Sequence, residues 1–376
     1  MSLAAFDDLR VLSGPAAEAA SGPAAEAASG PAAEAASGPA AEAASGPAAE
    51  AASGTAAAPG PTLCTLVRNE MYYLPAFLAH YRRLGAGRFI VLDDRSEDGS
   101  RAFLAAQPDV TLLESGRRFG DIVTAAAGPT AGLPQMMDKV WRSLMMRRFC
   151  TGRWAFCLDV DEFLMLPDGL TLPGLVALAA SGPARAVTSV MLDMYPADIA
   201  GMDSTAPFDP DDPGWFFDAV PHVAHDPAAP DGLRLIHPGS RARLMRHFGV
   251  DRVPPLRRLA TVLGLRPPRP FNMITKTVLM RWQQDDAFLS AHVATAAPDP
   301  RILLPLRHYK FTPDTWRRTA EAIEGKQHYR GSQEYTAMET LLMRMRAGGG
   351  SFLGPASRPG HRAAAYVESG NLILPG

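Results

Sequence analysis

Two aspartates one residue apart, Asp159 and Asp161, close the apolar run of FCLDVDEFL (residues 156–164). At a strand end that spacing offers hard oxygen ligands to a divalent cation, and such a cation can bridge a diphosphate. The plain alternative is an acidic turn after a strand; the apolar flanks and the attached Glu162-Phe163 favour a built site. A second acidic cluster, VLDDRSEDGS (91–100), also follows an apolar run. There an ionised Asp93 or Asp94 accepts hydrogen bonds from a ribose hydroxyl or a base N–H, unless Asp94, Ser96 and Asp98 simply cap a helix. LVRNE (66–70) brings Val67, Asn69 and Glu70 to the end of an earlier run. LRHYKF (306–311) offers His308 as an imidazole metal ligand, unless it is simply a structural histidine on a strand, and Lys310 as a compact cation for phosphate charge.

These residues need a scaffold, and the hydrophobic pattern predicts one. Thr62 to Val67, Arg88 to Leu92, Val110 to Leu113 and Trp154 to Leu158 read as short buried strands. Between them, Leu74, Phe77, Leu78, Tyr81 and Leu84, and later Val140, Leu144, Met145 and Phe149, fall at helical spacing. Gly85 and Gly87 stop the first helix. Strand-helix alternation predicts an α/β domain with a mixed, largely parallel sheet flanked by helices, in which ligands bind beyond the carboxyl ends of strands. Both acidic clusters fall at such ends. Residues 196–270 are rich in Pro, Asp and Gly and read as long loops; regular structure resumes at Met273 to Trp282 and Ile302 to Phe311.

The 376-residue chain divides by composition into an N-terminal segment (1–12), a spacer (13–60), a catalytic domain (61–345) and a C-terminal tail (346–376). The spacer repeats SGPAAEAA five times; an eight-residue unit with one Ala-rich turn has no large apolar face to bury, so it reads as a disordered linker. Thirty-seven basic against 39 acidic residues give a net charge of -2, which supplies no general attraction to nucleic acid. Any anionic ligand must be held locally. Three cysteines without CxxC spacing argue against a disulfide framework or a zinc site. MSLAAFDDLR lacks the features of a secretory signal and no stretch approaches the ~20 apolar residues that span a bilayer, so a cytoplasmic location is expected, with peripheral membrane association left open. Only Lys139, Lys276, Lys310 and Lys326 are lysines, a hint that each stands where a point charge is needed.

In their order and spacing these motifs resemble glycosyltransferase family 2, in the branch with NE…H…LG…DDxSxDG…W…LDVDEF…HxKF. The matching residues are Asn69, Glu70, His80, Leu84-Gly85, Asp93, Asp94, Ser96, Asp98, Gly99, Trp154, Asp159, Asp161, Glu162, Phe163, His308 and Lys310, and the resemblance covers about residues 62 to 340. It implies a GT-A (Rossmann-like) fold, a UDP- or GDP-sugar donor, a glycan or lipid-linked acceptor, and Mn2+ or Mg2+ at Asp159, Asp161 and His308. It places Asp93 or Asp94 at the nucleoside and Lys310 at the departing diphosphate.

Inverting transfer, usual in that family, requires a base at the acceptor hydroxyl. Asp193, Asp218 and Asp203 are the candidates, with Asp193 favoured because it ends the apolar run Val187 to Leu192. Arg241 and Arg243, on alternate positions of PGSRARLM (238–245), face donor phosphate or an anionic acceptor if that segment is extended. Two other readings stand beside this one. Asp159-Val160-Asp161 also resembles the strand-end aspartates of haloacid-dehalogenase-type phosphatases, although that pattern expects Thr or Val where Phe163 stands. A non-catalytic glycan-binding or scaffold protein, with the repeats as its working part, is the third.

Overall fold

The computed structural model of the chain describes residues 6–15, 60–226, 232–251, 254–265, 273–325 and 329–375. Residues 16–59, which hold nearly all of the array read above as a disordered spacer, lie outside them. Nine strands form the main sheet: β1 (Arg10–Ser13), β2 (Thr62–Val67), β3 (Arg88–Asp93), β4 (Val110–Glu114), β5 (Trp154–Cys157), β6 (Glu162–Leu164), β7 (Ala186–Asp193), β8 (Thr275–Arg281) and β9 (Pro298–His308). Their spatial order is β1-β4-β3-β2-β5-β8-β7-β9-β6. Strands β2 to β5 pair in parallel, as do β7 and β9. Antiparallel β8 joins these two sets, and β1 and β6 close the edges antiparallel. Six of the nine strands therefore run in one sense, giving the mixed, largely parallel α/β sheet expected from the sequence.

Helices cover both faces, and strand periodicity shows why. Successive side chains in a strand point to opposite faces. Accordingly Leu63, Phe89, Val91, Phe156 and Leu158 enter one apolar cluster, while Cys64, Ile90, Leu92, Ala155 and Cys157 enter another. The first packs against α1 (Leu74–Arg83), through Leu74, Phe77, Leu78 and Tyr81, and carries Leu104 of α2 (Ser100–Ala105). The second packs against α3 (Met137–Cys150), through Met137, Val140, Trp141, Leu144 and Met145. Helix α4 (Leu172–Ala180) returns to the first face. Gly85, at φ 95°, ends α1 as its position predicted, because an L-residue is strained in that left-handed conformation.

Three parts of the sequence reading are corrected. The Pro- and Gly-rich stretch 196–270, read as loops, contains α5 (Gly239–His247) and α6 (Pro255–Val262) as well as short strands. Residues 346–376, read as a tail, pack: Phe352, Tyr366 and Leu372 are buried, Ser357–Pro359 pairs with Phe216–Asp218, and a short helix covers Ala363–Glu368. The N-terminal segment contributes β1, paired to β4, so the sheet gains a strand from before the repeats. Helices α7 (Asp314–Gly325) and α8 (Tyr329–Gly348) follow β9. No helix among the described residues is long and apolar enough to cross a membrane.

This topology carries the acidic pair. Strand β5 is the middle of the nine, whereas β6, which starts at Glu162, lies on the far edge beside β9. The turn Leu158 to Asp161 must therefore cross the ends of β8, β7 and β9, where Lys276, Asp193 and His308 stand. Tyr81 pins the far side of that turn: its hydroxyl donates to the Glu162 carbonyl at 2.9 Å and accepts from the Leu164 N–H at 3.0 Å. Tyr81→Phe leaves both backbone groups buried without this partner and is expected to cost about 1–3 kcal/mol. Urea denaturation checks it; an unchanged midpoint would mean that β6 is held without the hydroxyl.

Candidate active site

Asp159, Asp161 and Glu162 are gathered on a set of cations drawn from four separate elements. Asp159, half-buried, accepts from Arg142 Nη2 at 2.5 Å and from Lys276 Nζ at 2.8 Å. Lys276 is fully buried and also donates to both oxygens of Glu162, at 2.8 and 2.7 Å. Glu162 in turn accepts from the Asp159 N–H at 2.8 Å, which tightens the turn. Asp161, buried, accepts from Lys310 Nζ at 3.0 Å and Arg318 Nη1 at 2.8 Å. Burial opposes the charge on both aspartates, but Arg142 and Lys276 at Asp159, and Lys310, Arg318 and His308 at Asp161, outweigh it and hold both carboxyls well below the usual range. Burial alone would discharge Lys276; Asp159 and Glu162 keep it charged.

His308 links this cluster to Asp193. Its Nδ1 lies 2.7 Å from Asp193 Oδ1, and its Nε2 faces Asp161 Oδ2 at 3.8 Å. With Nδ1–H donated to Asp193, the Nε2 lone pair points toward Asp161, the arrangement of a metal-binding imidazole oriented by a carboxylate. Asp161 thus offers a hard oxygen donor and His308 a borderline nitrogen donor to a divalent cation. No group of three such donors gathers among the described residues.

Asp193, favoured above as a base, has both carboxylate oxygens engaged. Arg241 donates to them from Nε at 3.0 Å and Nη2 at 2.7 Å, in addition to His308. Despite burial, these partners hold its carboxyl well below the usual range, which makes it a poor proton acceptor. Asp218 is tied to Arg243 and to the Tyr195 hydroxyl, and Asp203 is paired with Arg346 at the surface; neither lines the cleft. The expectation of an extended segment at Arg241 and Arg243 is also corrected. They lie on α5, where positions two apart diverge by about 200°, so Arg241 reaches Asp193 and Glu334 while Arg243 reaches Asp218. Neither arginine lines the cleft.

The cleft above the cluster has a volume of about 520 Å³. Asp159, Asp161, Lys310, Arg142 and Arg318 form one part of its wall; Val67, Asn69, Glu70, Asp94 and Phe119 form another. Two sequence motifs close on each other to make the second part. The Glu70, Met71 and Asn69 N–H groups donate to Ser100 Oγ, Asp98 Oδ2 and Ser96 Oγ, and Asn69 Oδ1 accepts from the Glu97 N–H at 2.8 Å. Asn69 sits at φ 54°, a left-handed conformation that Asn tolerates. Asp93 does not reach the cleft: it is buried against Arg101 and the Ser96 N–H, holding the loop. Asp94 does, with the Phe119 N–H on Oδ2 at 3.1 Å and burial raising its pKa.

Sequence reasoning missed Arg142, Lys276, Arg318 and Asp138. Lysine scarcity pointed to two places in this site, since Lys276 and Lys310 both serve it. Asp138 and Arg142, four apart on α3, share one helix face, a signal available in the sequence. Burial raises Asp138, and its Oδ1 has no hydrogen-bond partner. Arg318, on α7, bridges Asp161 and Glu70 Oε1, the latter at 3.2 Å.

Two measurements follow from these pairings. Lys276→Met leaves Glu162 and Asp159 without their shared ammonium and is expected to destabilise the fold by about 3–5 kcal/mol in urea titrations; a loss below about 1 kcal/mol would show that the two acids repack or protonate freely. Burial pushes Glu70 up to about 8 against the pull of Arg318. Between about pH 5 and about pH 8 the folded chain therefore keeps a proton that the unfolded chain releases, so stability declines as pH rises, by at most about 1.4 kcal/mol per unit. Glu70→Gln should flatten that decline, and identical slopes in both proteins would mean that Glu70 is ionised in the fold.

No protein-family model matches the chain. A stretch of 110 residues, 29% of this chain, is 26% identical to a glycosyltransferase family 92 protein of Ricinus communis, of which it covers 18%. The chain thus spans less than a fifth of that relative's length. The relative's name points to family 92 rather than family 2, so the similarity supports a glycosyltransferase in general and leaves the narrower assignment without support from this comparison.

Proposed function

We propose that this protein transfers a sugar from a UDP- or GDP-sugar donor to a hydroxyl of a glycan or lipid-linked acceptor, with inversion as the expected outcome. The observation that carries the reading is the Asp159/Asp161 pair at the carboxyl end of the central strand, facing a cleft lined by Arg142, Lys310 and Arg318. A donor of this kind leaves as a nucleoside diphosphate whose charge grows in the transition state, and fixed cations beside it lower that barrier. Lys310 and Arg318 are half-buried and held in place by Asp161, so they require little reorganisation. Phe119 and Asp94 at the other part of the wall suit a nucleoside: a ring face for the base and an acceptor for its N–H groups or the ribose hydroxyls.

Asp161 and His308 would hold a Mn2+ or Mg2+ ion, with Asp159 beside them. When bound, such an ion supplies positive charge to the diphosphate oxygens. Asp193 is proposed to orient the His308 ring rather than to act as the base, because its oxygens already serve His308 and Arg241. The phosphatase reading asks Asp159 to attack as a nucleophile. A carboxylate gripped by both Arg142 and Lys276 is poorly disposed to do so.

Calorimetric titration with UDP, GDP and their sugars, with and without manganese, tests the proposal. Asp161→Ala is expected to abolish manganese-dependent binding and to lower turnover of the preferred donor by at least about 100-fold. Wild-type protein that binds no nucleotide but hydrolyses simple phosphate esters would overturn it in favour of the phosphatase.

A further inference from the structure

We propose that helix α6 and the residues just beyond it form a docking surface for an anionic lipid bilayer. Leu256, Leu259 and Leu263 fall at i, i+3 and i+7, so helical geometry places them on one stripe, yet they are 83%, 54% and 61% exposed. Leu265, directly after the helix, is 74% exposed. A lone exposed leucine means little, but four within ten residues make an apolar face of the kind that marks an interaction site. None of the four joins the apolar clusters of the sheet or of α8.

Charge selects the occupant. The stretch 252–269 contains Arg252, Arg257, Arg258, Arg266 and Arg269, and no acidic residue occurs between Asp251 and Asp285. In a chain of net charge -2 this stretch of sequence concentrates positive charge. A leucine stripe within an arginine-rich, acid-free stretch of sequence is the composition of a helix that lies in the plane of a membrane interface, its apolar side among the acyl chains and its cations at anionic headgroups. A second copy of the chain carries the same arginine-rich, acid-free stretch, and like charge disfavours self-association through it. Helix α6 lies in the chain between α5, which supplies Arg241, and β8, which supplies Lys276. The docking surface stands apart from the transferase reading: a chain that binds vesicles and no nucleotide would keep one and lose the other.

Co-sedimentation with vesicles decides it, using phosphatidylcholine containing phosphatidylglycerol against pure phosphatidylcholine. Wild-type protein should partition to the anionic vesicles and much less to the neutral ones, and binding should weaken as salt is raised. Replacing Leu256, Leu259 and Leu263 together by serine should lower the anionic-vesicle partition coefficient by at least about tenfold while leaving the melting temperature unchanged. Arg257→Gln with Arg258→Gln should weaken binding to the anionic vesicles alone. The proposal is overturned if wild-type protein stays in the supernatant, if the triple variant sediments as wild type does, or if light scattering shows a dimer that the triple variant dissolves.

Discussion

Burying Asp161 and Glu162, and half-burying Asp159, demands positive charge from elsewhere in the chain. Four cations meet that demand: Arg142 from α3, Lys276 from β8, Lys310 from just beyond β9 and Arg318 from α7. Each carboxylate left alone in such a place would take up a proton or open the turn to water. Since no two of the cations come from the same element, the cluster forms only when the sheet and its helices are assembled. Buried ion pairs of this kind add little net stability over apolar packing, but losing one partner is costly, so they specify one arrangement more than they strengthen it.

The same charge balance makes the cleft suitable for an anion. Lys310 and Arg318 neutralise Asp161 in this structure, and both residues also line the open volume of the cleft. Under the proposed function, an arriving diphosphate would redistribute these pairings rather than create charge in an apolar site. Glu70 adds a carboxyl that burial keeps protonated near neutrality, so Arg318 is shared between an ionised acid and a neutral one. That leaves the guanidinium less fully neutralised than the pairing with two acids suggests.

Neighbouring motifs divide their labour in a way their composition conceals. In VLDDRSEDGS, Asp93, Ser96, Asp98 and Ser100 spend their polar atoms on backbone groups and on Arg101, and of the two strand-end aspartates Asp94 alone lines the cleft. The loop is thereby rigid enough to hold Asn69 in a left-handed conformation beside it. On the opposite side, the Asp193–His308 pair, itself backed by Arg241, orients an imidazole toward Asp161. An aspartate that looked like a free strand-end acid has both oxygens engaged by His308 and Arg241.

Local pattern was enough to determine the alternating strands and helices and the ends at which Asp94, Asp159 and His308 stand; the scarcity of lysine was a hint that did not separate Lys276 and Lys310 from Lys139 and Lys326. These depend on period, turn chemistry and residue type over a few positions, which one chain displays directly. Tertiary structure alone decided the rest. That Asp193 is engaged, that Arg243 turns away to Asp218, and that Arg318 reaches Asp161 from 157 residues away all follow from packing between distant elements. Helices α5 and α6 escaped the sequence reading because Pro, Gly and Arg weaken the helical pattern, and the C-terminal residues because their few apolar side chains find partners only across the fold. Charge pairing has no period, so a sequence shows which residues carry charge, and only the closed sheet shows which of them meet.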